Sequence, residues 1–212
     1  MSKTIVIFST KGGVGKTLIA ANLAVSLAQD QAKRVCLIDF DVQVPGDMAR
    51  MLSAAPHKSM VDAINVLKKQ PQAFKKSDFV VKTNFGIEFI PAVLRPQQSS
   101  YLDTVKIKEI FSLIDKDYDY IVVDAGKSFS EIFVSTLNQA NLFLLVVTPD
   151  IISIYQTKWI LDTLQSLSFP LGMIKAVLNR AESISGISWQ EVKVSLPVDI
   201  ISLIPSEGKA VG

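Results

Sequence analysis

Cysteine is almost absent from this sequence: 212 residues hold one, Cys36. A single thiol permits no internal disulfide, and its place inside the apolar run RVCLIDF reads as a small core residue in a reducing, cytoplasmic setting. Histidine is as scarce. His57 stands alone between Pro56 and Lys58, and neither a ligand nor a catalytic role is expected of it. Long apolar runs are missing too: the longest, LFLLVV, falls far short of the roughly 20 residues a spanning helix needs, and no signal peptide precedes the first strand-like segment. Charge of one sign is not in excess, since 22 Lys and Arg against 20 Asp and Glu leave a formal +2. That balance argues neither for nor against a nucleic-acid partner. No segment is compositionally biased and no internal repeat is visible. What is present is apolar material, 49% of the chain, enough for one large α/β domain that buries roughly 70% of its unfolded surface without disulfide or metal staples.

Short β-branched runs alternate with helical patterns along the chain, the signature of βαβ units and a mostly parallel sheet. Strands are expected at TIVIFS (4–9), RVCLIDF (34–40), IEFIPA (87–92), YIVVDA (120–125), LFLLVVT (142–148), MIKAVLN (173–179) and IISLIP (200–205). Most are apolar throughout rather than alternating, as strands covered on both faces are. Residues 17–29 form a helix apolar nearly all round and are expected to be buried. The spacing over 103–115 places Ile107, Ile110, Phe111 and Ile114 on one helical face. A third helix over 150–167 starts from Asp150 as N-cap and carries Ile154, Tyr155, Trp159, Leu161 and Leu164. Trp159 and Trp189 are read as core or groove packing. The stretch 66–84 is the least regular, and its Lys68, Lys69, Lys75 and Lys76 are read as a solvated loop or helix end rather than a binding patch.

The chemistry begins at STKGGVGKT, Ser9 to Thr17, directly after the first predicted strand. A glycine-rich turn between strand and helix presents a row of backbone N–H groups, and glycine lets that backbone approach a phosphate closely. Lys16 would reach the β- and γ-phosphates and the Thr17 hydroxyl would ligate Mg²⁺. The general pattern G-x-x-x-x-G-K-[ST] calls for glycine at position 10, where Thr10 stands, with Lys11 beside it. A lysine leaving the start of the loop cannot easily curl back over phosphates its own backbone already wraps. It more readily reaches phosphates held by a second subunit. Downstream, LIDFDVQ sets Asp39 and Asp41 at a strand end, where one carboxylate can hold a Mg²⁺-bound water and its neighbour can orient the attacking water. YDYIVVDAG places Asp124 at the end of another strand as a further carboxylate near the metal. All of these fall at carboxyl ends of strands, where open α/β sheets bind ligands.

KGGVGKT, LIDFD and VVDAG resemble the deviant Walker A, switch I and Walker B segments of the MinD/ParA family of P-loop ATPases, in order and spacing over nearly the whole chain. The resemblance implies a single P-loop ATPase domain over 1–212, with a mostly parallel, doubly wound sheet of seven or eight strands flanked by helices. It implies a homodimer that sandwiches ATP, in which Lys11 is the signature lysine contacting the partner's nucleotide. By the same carry-over the loop residues Gly12, Gly13, Val14, Gly15, Lys16 and Thr17, with Leu18 just past them, bind nucleotide. Thr17, Asp39 and Asp124 serve the metal, and Asp41 positions the hydrolytic water. Hydrolysis would be slow and partner-stimulated, and loss of the γ-phosphate would remove the bridge between subunits.

Base identity rests on VLNRAE, where Asn179 ends a strand. Such an asparagine commonly contacts adenine in the family, and Arg180 and Pro205 would flank the base. The same four residues distantly resemble the guanine motif N-K-x-D, so GTP stands as the alternative to ATP. Iron–sulfur relatives need paired cysteines, and related tyrosine kinases a terminal tyrosine cluster; this sequence has neither. DFDVQVPGDMARML and VTPDIISIYQTKWILDTLQSL look most like the CpaE/TadZ-like branch that positions pili, flagella or secretion machines. Segregation ATPases of the ParA kind usually carry D-x-D-P-Q where DFDVQ stands here, and no extended basic face for DNA is visible. DNA is therefore not expected as a partner. A protein activator or cargo is, with membrane contact indirect or through a C-terminal segment beyond Gly212. A segregation ATPase, a division regulator and a non-hydrolysing nucleotide-dependent scaffold remain alternatives. DAG also lacks the proline common after that strand, and no N-terminal receiver-like domain is expected, since the ATPase pattern starts at residue 3.

Overall fold

The computed structural model describes residues 1–183 and 187–207. The end of the tail IPSEGKAVG, residues 208–212, lies outside them. The fold is an eight-stranded, mostly parallel sheet with flanking helices, in agreement with the expected class. Its residues group into two compact units, Met1–Val6 with Thr17–Asn141, and Ile7–Lys16 with the residues from Leu142 onward. Strand β1 (Lys3–Phe8) contributes residues to both.

In the first unit, α1 (Lys16–Gln29, from Thr17) leads to β2 (Val35–Asp39), α2 (Asp47–Met51) and α3 (Met60–Lys69). There follow β3 (Val81–Lys82), β4 (Glu88–Pro91), α4 (Thr104–Ile114), β5 (Tyr120–Asp124) and α5 (Glu131–Leu137). The strand order is β3-β4-β2-β5-β1. β2 runs parallel to both β4 and β5, with Leu37 opposite Phe89 and Val122. This register sets Asp39 opposite Asp124, so two carboxylates end adjacent strands side by side. All five residues of β2 are buried, which is why its sequence shows no alternation. The two-residue β3 pairs antiparallel with β4 and was not visible in the sequence.

In the second unit, β6 (Leu142–Val147), α6 (Ile151–Ser166), β7 (Ile174–Asn179), α7 (Trp189–Ser195) and β8 (Ile200–Ile204) follow. β7 is parallel to β6 and β8, and Asn179 stands opposite Ile204 at its end. Phe143 packs against Phe8 and Phe169, with centroids 6.1 and 6.2 Å away.

Helix starts follow capping chemistry. Asp103 accepts N–H bonds from Val105 and Lys106 at 3.0 and 3.1 Å, and Asp150 accepts one from Ser153 at 3.0 Å; each satisfies donors a helix start leaves open. The apolar face predicted for 103–115 is buried as expected at Ile107, Ile110, Phe111 and Ile114, and Cys36 is buried.

Two expectations about packing, for α1 and for the tryptophans, need correction. Helix α1 buries only Ala20, Ala21 and Ala24 among its apolar residues, leaving Leu18, Ile19, Leu23 and Val25 half-buried. Trp159 and Trp189 are 51% and 39% exposed rather than core. Tyr155 lies on the open side of α6, 73% exposed, while Ile154, Ile160, Leu161 and Leu164 face inward. Lys68 and Lys69 end α3 and, with Lys75, are exposed, as expected of a solvated helix end or loop; Lys68 pairs with Asp103 at 2.7 Å, and Lys76 with both Glu88 and Asp117 at 3.3 Å.

Candidate functional site

β1 ends at Phe8, and the chain turns through Ser9–Gly15 before α1 begins at Lys16. Two turns of that loop need positive φ: Gly13 at 72° and Gly15 at 95°, conformations glycine adopts without steric cost. Gly15 has a second reason to lack a side chain, because a Cβ there would stand 2.5 Å from Asn179 Nδ2. Asn179, buried at the end of β7, donates from Nδ2 to the Val14 carbonyl at 2.7 Å. Its Oδ1 accepts the Arg180 N–H at 3.0 Å, and the Arg180 guanidinium donates to the Gly13 carbonyl at 3.3 Å. Side chains thus hold two consecutive loop carbonyls. Lys16 is buried and Leu18 half-buried in the first turn of α1, while Gly12 and Gly13 are exposed. Pro205 is exposed directly after Ile204, the register partner of Asn179.

The second lysine of the loop does not hang free. Lys11 Nζ lies 2.7 Å from Asp150 Oδ2, both side chains about one-third exposed at 33% and 30%. The same carboxylate accepts the Thr148 hydroxyl at 2.7 Å. Burial pushes the Asp150 carboxyl upward, but bonds from Lys11, Thr148 and the Ser153 N–H outweigh it and hold it below the usual carboxylate range. The sequence marked Asp150 only as a helix cap; no local pattern announces its pairing with a residue 139 positions away.

In the first unit the candidate metal residues converge. Thr17 Oγ1 donates to Asp124 Oδ2 at 2.7 Å, and the other Asp124 oxygen accepts the Gly126 N–H at 3.1 Å. Asp39 Oδ1 accepts the Asp41 N–H at 2.9 Å, so Asp39 fixes the backbone from which Asp41 projects. Burial, then the charge of Asp124, pushes the Asp39 carboxyl up to about 8. Gly126 lies against Asp41 so closely that an added Cβ would meet its Cα at 3.4 Å, on a backbone with φ 67°. Gln43 Nε2 donates to Ser128 Oγ at 2.9 Å, tying the segment after Asp41 to the loop after Asp124. Asp41, Gln43, Gly126, Lys127, Ser128 and Phe133 line a cavity of about 80 Å³. Sequence reading missed Gln43, Gly126 and Ser128; the glycine in VVDAG was its one available signal.

These residues fit Mg²⁺. A hydroxyl and a carboxylate in direct contact are the protein groups that Mg²⁺ takes beside phosphates and water. The buried Asp39–Asp124 neighbours carry an electrostatic cost that a divalent cation relieves. No cluster of three or more His, Cys, Asp or Glu groups suited to a metal occurs among the described residues.

A glycine-rich strand-to-helix loop with its lysine, and carboxylates that end parallel strands, define a P-loop nucleotide-binding α/β protein. The AAA_31 family model, an AAA domain, matches residues 2–171, and the chain belongs to that family, as a P-loop ATPase of the MinD/ParA type. It is 28% identical over 211 residues to the septum site-determining protein MinD of Thermotoga maritima, covering 97% of this chain and 76% of that one. With MinD of Helicobacter pylori it shares 27% over 182 residues, and spans 62% of that protein's length. Among solved structures, a ParA family ATPase from Chlorobium tepidum superposes with a TM-score of 0.88 at 25% identity, covering 99% of this chain and 87% of that one. The MinC:MinD cell division complex of Aquifex aeolicus gives 0.81 at 28%, covering 99% and 84%.

Proposed function

We propose that this chain is a Mg²⁺-dependent ATP hydrolase whose ATP-bound form is a homodimer, and which acts as a spatial switch for a polar pilus, flagellum or secretion machine. The Thr17–Asp124 contact at 2.7 Å carries the reading, because it brings the hydroxyl of the phosphate loop against the carboxylate ending β5, as a Mg-nucleotide site requires. Within this proposal residues 1–212 act as one P-loop ATPase domain. Gly12 to Thr17 and Leu18 hold the phosphates, Lys16 balances their charge, and Thr17 with Asp39 and Asp124 serves the metal. Mg²⁺ supplies charge neutralisation at the β- and γ-phosphates. Asp41 orients the attacking water, held in place by Asp39 beneath its N–H. Lys11 leaves Asp150 and reaches the nucleotide of the second copy.

Support for the spatial role comes from relatives that place the division septum and from the branch-like segments DFDVQVPGDMARML and VTPDIISIYQTKWILDTLQSL. The partner would be a protein activator or cargo. A localisation that is cytoplasmic, or peripheral at a membrane through that partner, belongs to the same proposal; no helix among the described residues is long and apolar enough to cross a membrane.

The test is the solution mass of Asp41→Ala by light scattering, in Mg-ATP and then Mg-ADP. Slowed hydrolysis is expected to trap a dimer with ATP and leave a monomer with ADP. A monomer in both would remove the sandwich; a dimer in both would favour a non-hydrolysing scaffold.

A further inference from the structure

Two partly exposed segments follow Asp39 and Asp124, and both are thinly anchored. Phe40 still donates its N–H to the Asp124 carbonyl at 2.8 Å, but among the described residues no backbone–backbone hydrogen bond involves 41–45 or 126–128. Side chains hold them instead. The Asp41 N–H donates to Asp39 Oδ1 at 2.9 Å, and Asp41 Oδ1 accepts the Gln43 N–H at 3.1 Å, a turn closed by a side chain. The Gly126 N–H donates to Asp124 Oδ1 at 3.1 Å. Each of these bonds stays within its own segment. Among the described residues one hydrogen bond crosses between the two: Gln43 Nε2 donates to Ser128 Oγ at 2.9 Å, from 85 positions away in the sequence. The segments also touch at Gly126, where an added Cβ would stand 3.4, 3.6 and 3.7 Å from the Cα, Cβ and Cγ of Asp41. The result is a closed ring, from Asp41 to Gln43, across to Ser128, and back along the chain to Gly126 against Asp41. One oxygen of the Asp41 carboxylate is bound inside that ring, and Oδ2 takes no hydrogen bond among the described residues. Asp41, Gln43, Gly126 and Ser128 line the cavity of about 80 Å³, enough for at least one water.

We infer that Gln43 and Ser128 are positioning residues: their hydrogen bond closes the ring that orients the Asp41 carboxylate and leaves Oδ2 open to accept from a water. The proposal deepens the reading above, in which Asp41 orients the attacking water, and rests on it for the effect on hydrolysis. The ring itself does not depend on that reading. Contact with Gly126 blocks movement of Asp41 toward it, but only a bond restrains movement away. Without the Gln43–Ser128 bond, the turn after Asp41 keeps hydrogen bonds to its own neighbours alone. A carboxylate that samples more orientations presents Oδ2 to the water less often, which slows the chemical step without weakening ATP binding.

Two readouts test it. In nucleotide-free protein, amide hydrogen exchange over 41–45 and 126–128 is compared for wild type, Gln43→Ala and Ser128→Ala. Each variant is expected to exchange faster in both segments, the unmutated one included. ATP hydrolysis with Mg²⁺ is then measured across ATP concentrations. Each variant is expected to lower kcat about fivefold and to change KM by less than about twofold. The double variant is expected to fall no further than either single one, because both remove the same bond. Ser128→Thr, which keeps the hydroxyl, is expected to restore both the slow exchange and kcat. Faster exchange confined to the mutated segment would overturn the proposal. So would kcat losses that multiply in the double variant, or a raised KM with kcat unchanged, which would place Gln43 and Ser128 in ATP binding. Wild type that neither binds nor hydrolyses ATP would instead remove the nucleotide reading, while the exchange result would still decide the ring.

Discussion

At the scale of single residues, the most informative is Asp39. A carboxylate pushed up to about 8 by burial and by its neighbour Asp124 binds a proton in the folded state that the unfolded chain releases near pH 4. Folded protein then holds more protons than unfolded between those values, so stability is full below about pH 4 and declines as pH rises toward 8. Asp39→Asn keeps an oxygen to accept the Asp41 N–H and removes the titration. Without nucleotide or Mg²⁺ at pH 8, the variant is expected to be more stable by about 2 kcal/mol, a rise in Tm of roughly 4–8 °C. At pH 4 the two proteins are expected to melt nearly together. Thermal scans at both pH values check this, and a variant no more stable than wild type at pH 8 would show that the Asp39 carboxyl is not raised in the folded protein. With Mg-ATP the order is expected to reverse if Asp39 serves the metal as proposed, because only the wild type keeps that carboxylate. The sequence disclosed Asp39, Asp41 and Asp124 because each ends an apolar run. It did not disclose Asp150 as a partner for Lys11, nor Ser128 as a partner for Gln43, because both depend on which strand ends and loops the fold brings together.

Elements were legible where their periodicity had one solution. Seven of the eight strands among the described residues stood out as mostly apolar runs, and α4 declared its inner face by spacing. β3, two residues long, is too short to leave a pattern. In α6 the pattern was ambiguous for a different reason: Ile151, Ile152, Tyr155 and Trp159 are apolar on the exposed side, and Ile154, Ile160, Leu161 and Leu164 on the buried one. A helix apolar on both faces does not tell the reader which one packs. Two substitutions separate the faces. Ile160→Ala, at a site with no exposure, is expected to cost about 2–5 kcal/mol through lost contacts and a residual cavity. Tyr155→Ala, at a site 73% exposed, is expected to stay within about 0.5 kcal/mol of wild type. Urea unfolding measures both, and a large loss at Tyr155 would mean that this face is covered in the isolated protein. At the start of α3, Asp62 accepts both the N–H and the hydroxyl of Ser59, at 2.7 and 2.9 Å. Asp62→Ala is expected to cost about 1 kcal/mol in the same experiment, since Ser59 is fully buried and loses its acceptor.

For the whole molecule the governing question is why the loop carries Lys11 at all. In one copy of the chain Lys11 is satisfied by Asp150, with Thr148 and the Ser153 N–H completing the carboxylate's shell. If, as proposed, Lys11 contacts the nucleotide of a second copy, it has to leave this partner, and the internal ion pair then competes with assembly. The competition is mild. Both side chains are about one-third exposed, and an ion pair so placed contributes no more than about 1 kcal/mol after solvent screening. Asp150→Asn retains an oxygen to cap α6 and removes the charge that holds Lys11. The monomer is then expected to lose less than about 1 kcal/mol of stability, while the Mg-ATP dimer, measured in an Asp41→Ala background, tightens by up to about fivefold. Because Asp150 stays ionised well below neutral pH, wild-type assembly is expected to show no step from this group between pH 6 and 8. Lys11→Ala supplies the opposing result: it is expected to abolish the dimer while leaving ATP binding to the monomer largely intact. Sedimentation across a concentration series distinguishes the cases. If Asp150→Asn weakened the dimer instead, Asp150 would belong to the assembled state, orienting Lys11 rather than restraining it. If Lys11→Ala left the dimer unchanged, the second lysine would serve its own subunit, and two copies would have to be held by another surface.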